Sequence, residues 1–470
     1  MRVPLAFSAS KRVTGRFPEV ALINLVAEKT ETQVEAPYAL ICRPGLVALQ
    51  QLGTHPIRAM AQKEGLFSGD LIIPAGQAVN RMSTEGLSSA FTGALPGYNR
   101  VRVAIGRNHA DEDAARIATG DGLYLVTGTT VAVEDFPEAG GSGASDIEYF
   151  KGFWLASQAG TDLVYYLIPG EATWTGLDFA SAEYQPDLIV AIRARGDQIW
   201  MLGRVTTEAF YLTGDASAVI APSPGMAFDF GCLARDTAIL VGSEDVSAVM
   251  WVDNKGSVRL TKGDAPIAVS DPGLTEEIRA INPADLRASS FAIDGHFYYC
   301  LTLGDSGTAV YDLSGKRWSR FSSVGYGYWR AHIICDTGQA VLAADALTNQ
   351  IWTVTPDALD DDGEVIATVC TAYRELKEGR EPCWDLTLDM SVGFADLGIV
   401  PLISMRLCRD SQVYGEPRFV QMPTTGAFGF APRWNRNGEI RAPHGLWMQF
   451  ACSDATVKRY SGVNMNVVNR

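Results

Sequence analysis

An all-β fold, with a β-propeller-like body, a β-sandwich-like C-terminal domain and short helical insertions, is predicted by three features of this 470-residue chain. Short apolar runs rich in aromatic and β-branched residues recur behind Gly or Asp turns. Several are followed by a second run that closes on a tryptophan. Helical periodicity is nearly absent. Runs of this length bounded by glycine are buried strands, and a period near 40 to 50 residues points to blades of four strands each.

The elements follow in order. Residues 1–36 carry few strong strand signals and are expected to form an extended arm. The propeller-like body spans residues 37–358. Its inner strands are read at Gly122-Leu123-Tyr124-Leu125-Val126, Gly152-Phe153-Trp154-Leu155-Ala156, Asp197-Gln198-Ile199-Trp200-Met201-Leu202-Gly203, Thr237-Ala238-Ile239-Leu240-Val241-Gly242, Gly295-His296-Phe297-Tyr298-Tyr299-Cys300 and Gly338-Gln339-Ala340-Val341-Leu342. A seventh is expected around residues 57–67. Outer hairpins end at Trp174 and Trp318, and Trp251 begins a similar one; each ring is expected to seal the wedge against the next blade. The longest spacing contains Leu274-Thr275-Glu276-Glu277-Ile278-Arg279, a short helix for which Thr275 is the expected cap, and Pro283 opens a second. The rhythm stops after Pro356. Asp360-Asp361-Asp362-Gly363-Glu364 reads as a solvated, acidic linker, and residues 363–470 alternate as the half-buried strands of a small sandwich.

Charge narrows the function classes. The net charge is −15, which disfavours nucleic-acid gripping and attraction to anionic membranes. It is unevenly spread. Residues 401–470 hold nine Lys/Arg and four Asp/Glu, a balance of +5, which leaves 30 basic and 50 acidic residues, a balance of −20, in residues 1–400. Such a division suggests complementary surfaces in an assembly. No targeting segment or apolar membrane span is read. The eight cysteines (42, 232, 300, 335, 370, 383, 408, 452) form no Cys-x-x-Cys pair and read as buried thiols made in a reducing compartment.

Enzyme-like motifs are weak. Gly304-Asp305-Ser306-Gly307 echoes a serine-protease nucleophile turn, but its nearest histidine, His296, lies in the preceding strand and no oriented base is evident. The Asp360-to-Glu364 run has hard oxygen ligands for calcium, but Thr371 and Ala372 stand where a closing bidentate glutamate would be. Sialidase-type Asp boxes are incomplete at Trp174 and Trp318. The five histidines (55, 109, 296, 332, 444) show no i+2 or i+4 pairing, so no metal, cofactor or catalytic residue is assigned.

One stretch is distinctive: Gly176-Leu177-Asp178-Phe179-Ala180-Ser181-Ala182-Glu183, then Gln185-Pro186-Asp187-Leu188-Ile189-Val190, then residues 197–203, closing on Tyr211-Leu212-Thr213-Gly214. With Arg43-Pro44-Gly45-Leu46, the helical insertion and Arg380-Glu381-Pro382-Cys383-Trp384-Asp385-Leu386, this order resembles the tail hub, or nozzle, proteins of short-tailed bacteriophages (podoviruses), the packaged-DNA stabilisation family. The N-terminal arm and the loop at residues 140–143 do not match the family pattern.

The resemblance implies a non-enzymatic virion tail protein, made in the host bacterial cytoplasm and assembled as a homo-oligomeric ring, expected to be a hexamer. Its expected partners are a portal adaptor (head-to-tail connector), tail fibres or tailspikes, and a tail needle or plug. Such a ring would close the portal to retain the packaged genome and conduct viral DNA through its lumen at ejection without sequence-specific binding. It implies no catalytic residues. The alternatives are a propeller-type glycosidase or lyase, which would act on polysaccharide, and a cellular propeller scaffold, which would stay monomeric.

Overall fold

The computed structural model describes all residues except 12–18, 30–37, 138–142, 183, 186, 216–217, 243–246, 263–264, 396–397 and 468–470. The recurring apolar runs form strands that pair antiparallel in sequence order, giving sheets of Arg102–Arg107 to Thr130–Glu134, Ala144–Phe150 to Phe179–Ser181, Ile189–Arg195 to Ile220–Phe228, Ile239–Gly242 to Ala265–Ala268, and Leu286–Ile293 to Arg317–Phe321. These are blades two to six. Blade one pairs Leu71–Ala75, Ala78–Met82 and Ser88–Ala90, with an inner segment held by bridges from Ile57 to Ala75 and Ala61 to Ile72. Blade seven takes three strands from Ala331–Asp336, Val341–Asp345 and Gln350–Thr355. Its fourth, Gly45–Gln51, comes from the other end of the body and pairs antiparallel with Gln350–Thr355.

Packing shows that the ring closes. One apolar cluster fills each wedge between successive blades: Ile72 and Val103 between one and two, Leu123 and Trp154 between two and three, Leu155 and Met201 between three and four. Trp200 meets Trp251 at 6.3 Å between four and five; Met250 meets Tyr299 between five and six; Val310 meets Trp352 between six and seven. Leu342 and Ile351 meet Leu71 and Met82 between seven and one. Alternate residues of one strand thus serve opposite wedges, as Ile199 and Trp200 do. Each large side chain so buried contributes about 1.5–3 kcal/mol.

This arrangement corrects the reading of the six apolar runs as inner strands. Four are second strands, at Phe153–Gln158, Gln198–Gly203, His296–Leu303 and Val341–Asp345; Leu123–Thr127 is a third strand and only Ile239–Gly242 is innermost. A second strand is covered by neighbouring blades on both faces and reads as continuous apolar sequence, whereas an innermost strand turns polar residues to the axis. The tryptophans also seal wedges on the opposite side from that expected: Trp174 packs with Phe136 of the preceding blade at 5.4 Å, and Trp318 Nε1 donates to Val269 O, also of the preceding blade, at 2.8 Å.

The C-terminal residues form two facing sheets. One contains Arg380–Met390, Arg433–Arg441 and Arg459–Val467; the other contains Thr368–Arg374, Leu446–Cys452, Leu402–Cys408 and Arg418–Gln421. The N-terminal segment, expected as an arm over residues 1–36, supplies strands to both, and Tyr38–Cys42, expected in the propeller-like body, joins the first of these C-terminal sheets instead. Arg2–Val3 and Tyr38–Cys42 pair with Arg459–Val467, Leu25–Lys29 pairs with Tyr38–Cys42, and Leu22–Ile23 joins Thr368–Arg374 to Arg317–Phe321 of blade six. Leu22, Leu25 and Leu40 share its core with Leu386, Trp434 and Phe450. Its apolar residues are short and scattered, so their signal is invisible without the partner sheets. Residues 12–18 and 30–36 of that segment lie outside the described residues.

The helix between blades five and six is Pro272–Arg279, capped by Asp271, whose carboxylate accepts from Leu274 N at 2.7 Å. Thr275 was expected to cap, but Pro272 takes the first helical position and moves the start upstream. Thr275 instead shares a hydroxyl contact with Ser270 at 3.1 Å. Pro283–Asp285 is a single 3-10 turn capped by Asn282.

Candidate functional site

The innermost strands place charged side chains where seven blades converge. Arg102, Asp146, Arg193, Arg287 and His332 stand at separations of 44, 47, 94 and 45 residues, each the blade period or twice it. That polar periodicity is present in the sequence but is masked there by the apolar runs, which carry the louder signal.

Two ion-pair groups organise the axis. Asp146, fully buried, accepts from Arg193 Nη1 at 2.6 Å and from Ile192 N at 2.9 Å, with Arg102 at 3.6 Å; Arg102 also lies 3.7 Å from Glu148. Asp236 is held by Arg235 at 2.8 Å and Arg100 at 3.2 Å. Burial pushes the Glu148 carboxyl up and, aided by Arg193, the Arg102 guanidinium down. Among the described residues Arg58 donates to backbone, to Asn99 O at 2.5 Å and Gly76 O at 2.9 Å. Burial and the nearby Arg100 push Arg287 down to about 9. Burial, Arg287 and Arg100 push His332 down to about 2, so its ring is neutral. A cavity of about 90 Å³ lies among Arg58, Arg100, Arg102, Arg287 and His332, and a wider one of about 670 Å³, sharing Arg100 and Asp236, opens at the end where the inner strands begin.

The sequence motifs are placed as follows. Ser306 sits in the turn after His296–Leu303, at the far end of that strand from His296, whose Nδ1 is 2.8 Å from Asp312 Oδ2. Donation of that hydrogen bond by the His296 ring to the Asp312 carboxylate raises the His296 pKa. His and Asp therefore meet without the serine. The acidic run is solvated and turn-forming at Asp362, Gly363 and Glu364, as expected, but not at Asp361: Asp360–Asp361 and Glu364–Val365 form a small hairpin, and buried Asp361 accepts from Arg43 Nη1 at 2.9 Å and Nη2 at 2.6 Å. A buried carboxylate needs such a partner, and Arg43 of the Arg43-Pro44-Gly45-Leu46 motif supplies it. Among the described residues no group of three or more His, Cys, Asp or Glu gathers as metal ligands. The cysteines are free; burial pushes Cys232 and Cys335 up to about 12.

The distinctive stretch also has a structural basis. Asp187 Oδ2 accepts from Val205 N at 2.7 Å and Thr206 N at 2.8 Å, tying the entry of blade four to its second turn. A Cβ on Gly203 would lie 2.3 Å from that oxygen. Glu183 and Pro186 of the same stretch, and residues 140–142 of the unmatched loop, lie outside the described residues.

The profile of a phage stabilisation family, described as bacteriophage P22 Gp10, beta-propeller, matches residues 1–358. The chain belongs to this phage stabilisation family. The match ends just past Thr355, the last residue of blade seven, so it covers the N-terminal segment and the propeller and leaves the C-terminal strands outside. Membership makes the chain a bacteriophage structural protein of the packaged-DNA stabilisation type. No helix among the described residues is long and apolar enough to cross a membrane.

No curated protein matches the chain. Among solved structures, the family member is similar to virginiamycin B lyase from Staphylococcus aureus (11% identity, TM-score 0.46, 66% of this chain and 98% of that one). It is also similar to the Cps50 (Swd1) beta-propeller domain of Myceliophteria thermophila (10%, 0.40, 66% and 100%) and to the GH74 enzyme of Niastella koreensis (16%, 0.39, 65% and 43%).

Proposed function

We propose that this family member is a non-enzymatic tail hub, or nozzle, that assembles as a homo-oligomeric ring, a hexamer, below a portal adaptor. There it closes the portal over the packaged genome, conducts DNA at ejection and anchors a needle or plug and the tail fibres or tailspikes. The family match over residues 1–358 is the observation that carries this reading.

Charge and surface support it. A conduit should not grip DNA, since each phosphate contact adds affinity that slows transit, and residues 1–400 carry a balance of −20. The C-terminal strands, with a balance of +5 over residues 401–470, expose Trp384, Phe419 and Phe430. Exposed apolar side chains in a region of opposite net charge suit contact with a neighbouring copy's acidic body. His296 and Asp312 meet each other away from Ser306, which favours a structural over a hydrolytic role.

Light scattering of the chain with and without the portal adaptor tests the proposal. Ring mass on the adaptor supports it; a chain that stays monomeric in the adaptor's presence and cleaves host polysaccharide as a single purified species overturns it.

A further inference from the structure

We propose that the axial cavity of the propeller is a binding site for one small tetrahedral oxyanion, of the phosphate or sulfate class, held between Arg287, Arg58 and Arg100 beside His332. The site stands on the geometry of one chain and is independent of the ring proposed above.

Charge balance is the first ground. Four arginines, Arg58, Arg100, Arg102 and Arg287, face the cavity. Among the described residues the single carboxylate lining it, Asp236, is already shared by Arg235 and Arg100. Among the described residues no carboxylate lies within ion-pair distance of Arg58 or Arg287. Buried cations are ordinarily paired, so this axis holds positive charge that its own side chains leave uncompensated.

Unused hydrogen-bonding groups are the second. Arg287 Nε and both ring nitrogens of His332 are buried with no hydrogen-bond partner. Tyr328 stacks on the His332 ring at 6.2 Å, which helps hold its orientation. A guanidinium fork offers parallel N–H donors matched to an oxyanion's oxygens, and the neutral imidazole adds one more N–H.

Size is the third. The cavity is about 90 Å³, well above the roughly 10–15 Å³ that one water needs, and so has room for one tetrahedral oxyanion. Its donors come from blade one, the loop that follows it, and blades six and seven, so a bound anion would tie together the blades on both sides of the ring closure.

Calorimetric titration of the full-length chain with sodium phosphate and with sodium sulfate, against sodium chloride at matched ionic strength, tests the site. One oxyanion per chain is expected, with binding at least tenfold weaker in R287Q and unchanged in R441Q, whose side chain is exposed on the C-terminal sheet. Absence of saturable oxyanion binding, or equal affinity in R287Q, overturns the proposal. If R287Q does not fold, selenate soaked into wild-type crystals decides: an anomalous peak within hydrogen-bond distance of Arg287 supports the site, and an empty axial cavity overturns it.

Discussion

Arg43 and Asp361, 318 residues apart, form a bidentate ion pair where the closing strand, blade six and the start of the C-terminal sheets meet. Arg43 is 1% exposed, lies 5.3 Å from the Trp329 ring, and spends its remaining donors on Asn24 Oδ1, Pro44 O and Ser322 O. Asp361 also accepts from Ser323 Oγ at 2.8 Å. Removing one partner of a buried pair leaves the other charge stranded and costs about 3–5 kcal/mol. D361A is expected to lower the urea midpoint accordingly, while R43M/D361L loses less than R43M alone. A D361A midpoint within error of wild type would remove the junction from the account of stability.

Gly45 begins the closing strand. A Cβ there would lie 2.2 Å from Asp360 O and 2.7 Å from Ala358 O, both backbone atoms. G45A is therefore expected to cost at least about 1–3 kcal/mol and to expose the segment between blade seven and the C-terminal strands to limited proteolysis. Wild-type resistance to protease in G45A would contradict this.

His296 and His332 respond to pH in opposite directions. Asp312 raises the folded pKa of His296 above its unfolded value. Its stabilisation is present below about pH 6.5 and is lost as pH rises through the folded pKa. H296Q should thus be most destabilised relative to wild type at acid pH, with the gap closing at alkaline pH. His332 has a folded pKa near 2, so below about pH 6.5 the unfolded state gains a proton that the folded state refuses. In chloride buffer that costs about 1.4 kcal/mol per pH unit, and H332F should flatten this part of the acid profile. Parallel pH profiles for wild type and H332F would refute the buried neutral ring.

If the acidic body faces the ring lumen, the chain should bind duplex DNA negligibly at physiological salt, and a density map of the tail should show a negative lining. Tight binding with a steep salt slope, or a basic lining, would sink the conduit argument.

Contacts between neighbouring copies are expected to involve Phe419 and Phe430, both 64% exposed. F419D/F430D should weaken ring assembly on the adaptor while leaving the monomer's thermal midpoint close to wild type, because neither side chain is buried. Undiminished ring assembly would place the contact elsewhere.

The blade period and the tryptophan hairpins were legible in the sequence because second strands such as Gln198–Gly203 are apolar on both faces. What was hidden depended on distant partners. Asp361 reads as a solvated acid until Arg43 is beside it. Residues such as Leu22 and Leu25 read as an arm until the sheets containing Thr368–Arg374 and Arg459–Val467 provide their core. The axial arginines look like ordinary surface charges, since each sits alone in its own blade and only the closed ring brings them together.

The closing strand also sets an order of events on the ribosome. Gly45–Gln51 emerges early, yet its partner Gln350–Thr355 is about 300 residues downstream, and Tyr38–Cys42 awaits Arg459–Val467 near the end of the chain. Contacts so distant in sequence form slowly and leave strand edges exposed meanwhile. Gly45–Gln51 and the outer edge of Tyr38–Cys42 therefore wait unpaired until those partners are made, and a chain truncated before blade seven has no means of sealing itself.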